Sequence, residues 1–451
     1  MTHFCHIPLA CALAAACLAA CASLPDASTP PPNAPAVRVA TSGPAPAQLA
    51  QRLARVMPDV KERAALEEAA TGQPLIGGNK VSLLFDGPQT MQAMMDAVAG
   101  ARQTINFETY IFDQDEIGNK FAELLMARQR QGVNVNVLYD AIGTLSVPRA
   151  FFERMRQAGI HLVAFNPVNP AARPGKWSPN QRDHRKLLVV DGKVAFTGGM
   201  NISADYASNS LFRSRGKSGA NADVGWRDTH IRIEGPAVAT LQWHFLNAWA
   251  SQDAGELPDA PYFPKLATAG DKIVRVLADR PGRDFEIYRA FLLAIEQARR
   301  TIHITTAYFV PDRQVMDALL AAAARGVEIS LVLPGVSDVD VVFYASHAYY
   351  DKLLEHGIHL YHLKGAVLHA KTAVIDGSWS TVGSANIDQR SFLYNYELNV
   401  VVYDPGFGRD MEAAFREDLR NSSEITPAVW AARPFGERLK EWSARLFGNW
   451  L

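Results

Sequence analysis

Beyond residue 21 the chain has no cysteine: the four it contains are Cys5, Cys11, Cys17 and Cys21. Disulfides, a cysteine nucleophile and thiolate metal sites are therefore excluded from the remainder. An excess of charge of either sign is also lacking. The 45 Lys and Arg against 46 Asp and Glu leave a net charge of −1, without the basic surplus of a nucleic-acid-binding surface, and no nucleic-acid partner is expected. Outside the N-terminus no apolar run approaches the roughly 20 residues that span a bilayer, so no internal transmembrane helix is expected. What remains is an ordinary globular composition, 48% hydrophobic and 20% charged over 451 residues, with room for two full cores.

Residues 1–21, MTHFCHIPLACALAAACLAAC, hold a short apolar run ending in small residues, a secretory-leader pattern, although only His3 and His6 stand where Lys or Arg is usual. Leu18-Ala19-Ala20-Cys21 resembles a bacterial lipobox. That resemblance implies lipidation of Cys21 and a membrane-associated, periplasm-facing lipoprotein, with inner or outer membrane left open. Residues 22–48 are rich in Pro, Ala, Ser and Thr around Pro30-Pro31-Pro32, and read as a flexible, partly extended tether.

Strand-like and helix-like stretches then alternate, which predicts an α/β layer fold with a mostly parallel sheet. A Pro- and Gly-bearing stretch at 253–271 divides a first domain (49–252, opening with a helical lead-in) from a second (272–430). The second domain repeats the first. ARQTINFETYIF (101–112) matches ARRTIHITTAYF (298–309), RQGVNVNVLYD (130–140) matches ARGVEISLVLP (324–334), and ERMRQAGIHLVAF (153–165) matches DKLLEHGIHLYHL (351–363). His161 and His359 recur within these GIH strands and read as packing or surface residues. Residues 431–451 form an amphipathic segment with Phe435, Leu439, Trp442, Leu446 and Trp450 on one stripe. It either docks on the body or lies in a lipid interface.

The densest repeat is DHRKLLVVDGKVAFTGGMNIS (183–203) against LHAKTAVIDGSWSTVGSANID (368–388). His184, Lys186, Asp191 and Asn201 recur at the same spacing as His369, Lys371, Asp376 and Asn386. Asp-Gly flanked by β-branched runs predicts a hairpin in each copy. Residues two apart on a strand share a face, so each His and its Lys point together. Each Asp falls at the far turn, about 20 Å along an extended strand from its His, a distance at which contact with substrate is not expected. The chain doubles back through Gly198-Gly199 or Gly383-Ser384 and can return the Asn to the His end. A cationic Lys, a neutral Asn donor and a His able to act as nucleophile or proton carrier suit a phosphate.

HxKxxxxD followed by GG/GS-x-N, present twice, resembles the phospholipase D superfamily, over about 80–430. FETYIF, LYDAIG, WRDTHIRIEGPAV and NYELNVVVYD further resemble its bacterial cardiolipin synthase branch. The resemblance implies two α/β domains related by a pseudo-twofold with one shared site at their interface, and no metal or cofactor. It places His184, Lys186, Asp191, His369, Lys371 and Asp376 in the catalytic motifs. Asn201 and Asn386, with the two lysines, would hold the phosphate. Asp228, 44 positions after His184, and Glu397, 28 after His369, would orient the imidazoles. It implies a two-step reaction, His184 attacking phosphorus while His369 handles protons, on phosphatidylglycerol, with phosphatidylethanolamine as a second candidate donor. Water as acceptor would make the same site a hydrolytic phospholipase D, and a nuclease is the remaining alternative. Glu108 and Tyr110 end a strand directed at the cleft and either line it or are satisfied core-edge residues, 208–222 reads as an inserted loop at its rim, and Ser346-His347-Ala348-Tyr349 departs from the branch's usual Arg-Ser segment, which leaves the acceptor open.

Overall fold

The structure, a computed structural model, describes residues 24, 46–56, 58–207 and 225–445. The leader with Cys21, most of the 22–48 tether, the 208–222 insertion, and Leu446 and Trp450 of the C-terminal stripe lie outside the described residues. Among the described residues no helix is long and apolar enough to cross a membrane.

The first half contributes β1 (Ile76–Leu84), β2 (Thr104–Thr109), β3 (Asn134–Asp140), β4 (His161–Phe165), β5 (Arg182–Asp183), β6 (Leu187–Val190), β7 (Val194–Gly198), β8 (Trp226–Arg227) and β9 (His230–Glu234). The second contributes β10 (Lys272–Asp279), β11 (Thr301–Thr306), β12 (Phe309–Val310), β13 (Glu328–Pro334), β14 (His359–Leu363), β15 (Val367–Leu368), β16 (Lys371–Ile375), β17 (Trp379–Gly383), β18 (Ile387–Asp388), β19 (Asn395–Tyr403) and β20 (Ser422–Glu424). One sheet runs through both halves in the order β4-β3-β2-β6-β7-β9-β1-β10-β19-β17-β16-β11-β13-β14-β20. β1 and β10 pair antiparallel, and the order outward from them is the same on either side up to β4 and β14. The pseudo-twofold of the duplicated α/β fold therefore passes between β1 and β10.

The sheet is mixed, not mostly parallel. Along this order β2-β3-β4 and β11-β13-β14 run parallel, where helices such as Glu116–Arg130 and Arg313–Ala324 cross over. The strands between them are antiparallel because each motif reverses direction in a tight turn. Asp191 and Gly192 take φ of 52° and 61°, Asp376 and Gly377 53° and 65°, the left-handed conformations that Asp-Gly accepts readily. Lys193 N–H closes the first turn on the Val190 carbonyl at 3.0 Å and Ser378 N–H the second on Ile375 at 3.2 Å.

The helical lead-in, read from the sequence as the opening of a first domain of 49–252, packs on the second half. Leu49, Leu53 and Ala64 join one buried cluster with Ile273, Phe291, Ile295 and Trp379. From the helix Pro58–Thr71, Arg63 Nη2 reaches Asp376 Oδ2 at 2.9 Å and the Gln297 carbonyl at 3.0 Å. On the same helix, buried Glu67 accepts from Trp379 Nε1 at 2.9 Å and from the Tyr403 hydroxyl. The strand that follows the lead-in, β1, lies at the seam, so neighbouring helices can bury their apolar side against either half. His359 is exposed beside Glu424, and His161 is half-buried at the start of β4.

Candidate active site

Two short strand pairs cross between the halves and place the catalytic candidates. β5 runs parallel to the start of β19, and β8 runs parallel to β15. At their ends His184 N–H donates to the Tyr396 carbonyl at 3.0 Å, and His369 N–H to that of Arg227 at 2.8 Å. The residue after Tyr396 is Glu397 and the residue after Arg227 is Asp228, so each carboxylate arrives beneath the histidine of the other half. His184 Nδ1 lies 3.0 and 3.1 Å from the Glu397 oxygens, and His369 Nδ1 2.7 Å from Asp228 Oδ2. Spacing along the chain associates Glu397 with His369 and Asp228 with His184; the fold exchanges them.

The GG/GS element serves these carboxylates. A Cβ on Gly199 would stand 2.1 Å from Asp228 Oδ1, so only glycine permits Asp228 its position there. At the equivalent place Ser384 donates its hydroxyl to Glu397 Oε2 at 2.5 Å, and Asn395 Nδ2 donates to Oε1 at 3.1 Å. Asp228 instead accepts the Thr229 N–H at 2.7 Å.

The two imidazole centroids are 6.5 Å apart and open on a cavity of about 430 Å³ that Asn201 and Asn386 also line. Asn201 Oδ1 accepts the Ile111 N–H at 3.0 Å, and its Nδ2 donates to the Tyr206 hydroxyl at 2.8 Å. Asn386 Oδ1 is buried without a hydrogen-bond partner. Lys186 and Lys371 are buried beneath, each ammonium donating to the carbonyl of its own histidine (2.5 Å for Lys186). Desolvation drives both lysines down, to about 7 for Lys186 and about 8 for Lys371, despite the carboxylates around them. Burial lowers His184 below the usual imidazole value against the pull of Glu397, and lowers His369 well below it. Burial also raises Asp228 to about 6, whereas for Glu397 His184 and Lys186 outweigh burial and hold the carboxyl below its usual range. An anion placed between the imidazoles would return positive charge to the lysines.

Asp191 and Asp376, grouped with the catalytic residues by their motif, do not reach the cavity. Asp191 Oδ1 accepts the backbone N–H groups of Gln103 and Thr104 at 2.7 and 3.0 Å, fixing the start of β2 at the far end of the hairpin. Asp376 does the same for Arg300 and Thr301 at 2.8 and 3.2 Å. The acceptors belong at the turn because β2 and β11 begin beside it, with Ile105 opposite Val190 and Ile302 opposite Ile375, and the N–H groups just before the ladder need a partner. Glu108 also falls short, buried in an ion pair with Arg185 at 2.7 Å, while Tyr110 lines the cavity with its ring edge-on to His184, centroids 5.2 Å apart. His347 turns away from the cavity to Glu441, 3.3 Å from Nδ1.

Several lining residues lie outside the repeated motif positions. Arg182 and Arg390 stand on the His184 side, and Trp226, Tyr308 and Asp338 on the His369 side. Arg182 is placed by Asp140, whose Oδ2 also accepts the Asp183 N–H at 2.9 Å. Arg182 lies two residues before His184 and Arg390 four after Asn386, close enough to the motifs to have been considered. Trp226 opens the WRDTH stretch, two residues before Asp228, whereas Asp338 carries no such signal.

The cardiolipin synthase, phospholipase D-like domain family matches this chain twice, over residues 94–211 and 291–419. A cardiolipin synthase of Geobacillus thermodenitrificans is 35% identical across 83% of this chain and 72% of its own length. Major cardiolipin synthase ClsA of Bacillus subtilis is 34% identical across 82% of this chain and 74% of its own. The fold also matches the crystal structure of phosphatidylserine synthase from Haemophilus influenzae, with a TM-score of 0.63 at 13% identity, over 86% of this chain and 98% of that one. One matched segment lies in each half, and each holds one His/Lys pair of the site: this chain is an enzyme of the phospholipase D-like cardiolipin synthase family.

Proposed function

We propose that the protein transfers a phosphatidyl group to a hydroxyl of phosphatidylglycerol, forming cardiolipin through a phosphohistidine. The observation that carries this reading is the crossed pair of imidazoles, 6.5 Å apart and each held at Nδ1 by a carboxylate of the other half. That arrangement leaves both Nε2 atoms free to act on opposite sides of one phosphorus.

In the first step Nε2 of His184 attacks phosphorus and the P–O bond to the leaving alcohol breaks, while His369 gives that oxygen its proton. In the second, His369 takes the proton of the acceptor hydroxyl, whose oxygen attacks phosphorus and releases His184. Glu397 suits the nucleophile's partner, since it is held ionised by its surroundings and balances the positive charge that builds on His184. His369, weakly basic in its buried setting, takes up its proton as the phosphodiester anion enters and gives it up readily. Lys186, Lys371, Asn201 and Asn386 neutralise and orient the equatorial oxygens.

The test is lipid mass spectrometry after incubation with phosphatidylglycerol, alone and with phosphatidylethanolamine, beside His184→Ala. Cardiolipin that requires His184 is expected, and the released alcohol names the donor. Phosphatidic acid without cardiolipin would make the enzyme a hydrolase. Phosphohistidine accumulating in His369→Ala and not in His184→Ala is the expected order of roles; the reverse would exchange them.

A further inference from the structure

Exposed large apolar side chains are distributed unevenly. Twelve occur among the described residues, and all but Leu66, Phe263 and Val429 lie in four segments tied to the cavity. Ile142 and Leu145 follow β3, whose last residue, Asp140, holds Arg182 in the cavity wall. Val168 and Trp177 lie in the loop after β4, where the Asn166 carbonyl accepts from Arg182 Nη2 at 3.0 Å. Val336 and Val341 follow β13 and flank Asp338 and Val339, both lining residues. Ile142 and Val336 are equivalent under the duplication, each two residues past the matched strand.

The fourth segment is the C-terminal helix, Phe435–Arg445. Its inner side docks: Glu441 lies between His347 and Arg433, and Ala444 packs with Val342, itself a lining residue. Its outer side leaves Phe435, Leu439 and Trp442 in solvent, at 80%, 55% and 63% exposure. Docking and an exposed stripe thus coexist on this helix, where the sequence poses them as alternatives. After Arg445 the sequence continues LFGNWL, again largely apolar.

Single exposed apolar side chains need no explanation, but nine gathered round one cavity do. Their charge setting selects the occupant. Arg149, Arg173, Lys176, Arg438 and Lys440 lie in or beside the same segments, against Asp338, Asp340, Glu437 and Asp253, the last paired with Arg173 and Lys176. Aromatic and aliphatic side chains with basic neighbours suit an anionic lipid interface, where the apolar parts enter the acyl boundary and the cations meet phosphates. We propose that these four segments form a rim that seats the mouth of the cavity on an anionic phospholipid bilayer, so that the phosphodiester enters at headgroup depth while its acyl chains stay in the membrane. The proposal rests on the cardiolipin synthase reading and adds the face by which the enzyme meets its substrate.

Quenching of tryptophan fluorescence by brominated phosphatidylcholine in vesicles containing phosphatidylglycerol tests it on the full chain, because it reports which face touches lipid even when the N-terminus is anchored. Strong quenching is expected in the wild type, reduced in Trp177→Phe and in Trp442→Phe, and most reduced in the double variant. Leu145→Asp with Trp442→Asp should lower turnover on such vesicles by about tenfold or more, with unchanged turnover of dispersed short-chain phosphatidylglycerol. Phe263→Asp, outside the rim, should change neither. Quenching that persists undiminished in the Trp177→Phe, Trp442→Phe variant, or equal loss on vesicular and dispersed substrate, would overturn the rim. Quenching on this face with no cardiolipin formed would leave the rim standing and refute the catalytic reading instead.

Discussion

Replacing Glu397 by Gln removes one negative charge from a fully buried position and little else. The side chain at 397 receives Asn395 Nδ2 at one oxygen and Ser384 Oγ at the other, with His184 Nδ1 about equally near both. An amide oxygen facing Asn395 keeps that bond and can still accept from His184, while the Ser384 hydroxyl turns to accept from the amide nitrogen. The imidazole tautomer is thereby kept, and what disappears is the carboxylate that balances the developing imidazolium. Loss of one partner from a buried charge pair costs roughly 3–4 kcal/mol, or about 10²–10³-fold in rate at 1.36 kcal/mol per decade. The crossing gives this loss a signature. With a phosphatidyl ester of p-nitrophenol, whose departure needs no proton, Glu397→Gln should slow phosphohistidine formation by the full factor in rapid-quench experiments. Asp228→Asn, which acts through His369, should leave that step nearly unchanged and be costly only with the natural lipid. With the phosphohistidine trapped on His184, a large Asp228→Asn defect on the activated ester beside a small Glu397→Gln defect would refute the assignment of each carboxylate to the other half's histidine.

With the same p-nitrophenyl ester, whose departure needs no proton from His369, the pH profile of kcat/KM should be a bell. Its acid limb falls below pH 6.5, because burial lowers the value at which His184 must lose its proton to attack. Its alkaline limb falls near 7–8, because Lys186 and Lys371, lowered to about 7 and about 8, carry their charge below those values and lose it above them; in kcat, with the anionic substrate bound, that limb should move to higher pH. Asp338 raises Lys371 by its charge, so Asp338→Asn should shift the alkaline limb to lower pH, and since Asp338 is exposed the difference should shrink in 1 M salt. Asp376→Ala should destabilise by about 3 kcal/mol, since it strands the buried Arg63 guanidinium as well as several backbone donors. Asp191→Ala, which strands partly exposed backbone donors alone, should cost about 1–2 kcal/mol. Urea titrations measure both, and kcat of the folded variants should be near wild type; a loss of 10³-fold would return these residues to the chemistry.

The repeated motif was legible because its requirements are local. Strand alternation puts His184 and Lys186 on one face, Asp-Gly fixes the turn, and the returning strand brings Asn201 back to the same cavity. The distance of Asp191 and Asp376 from the cavity could also be foreseen, from strand rise alone. The mixed sheet was not, because the β/α alternation of the outer strands dominates the pattern while the hairpins that reverse the chain occupy few residues. Nor was the packing of the 46–71 helices on the second half: an amphipathic helix announces that it will bury one side, never against which neighbour. Asp338 reaches the cavity through tertiary placement in the loop after β13, with no motif of its own to mark it.

Crossing of the carboxylates is the feature that makes the duplication binding on the protein. A site in which Glu397 held His369 and Asp228 held His184 would leave each half with its own orienting pair, needing the other only for the second imidazole. Here neither half can orient its own histidine. His184 waits on β19 for both the carbonyl that receives its N–H and the carboxylate that holds its ring, and His369 waits on β8 for the same two groups. The lead-in adds a third dependence, since Arg63 and Glu67, which precede the whole first half in the chain, brace the Asp376 turn and β17 of the second. Ordering of either histidine is therefore a property of the closed interface, and the chemically poised imidazoles, with lysines whose charge is weakened by burial, exist only where the two halves have already met.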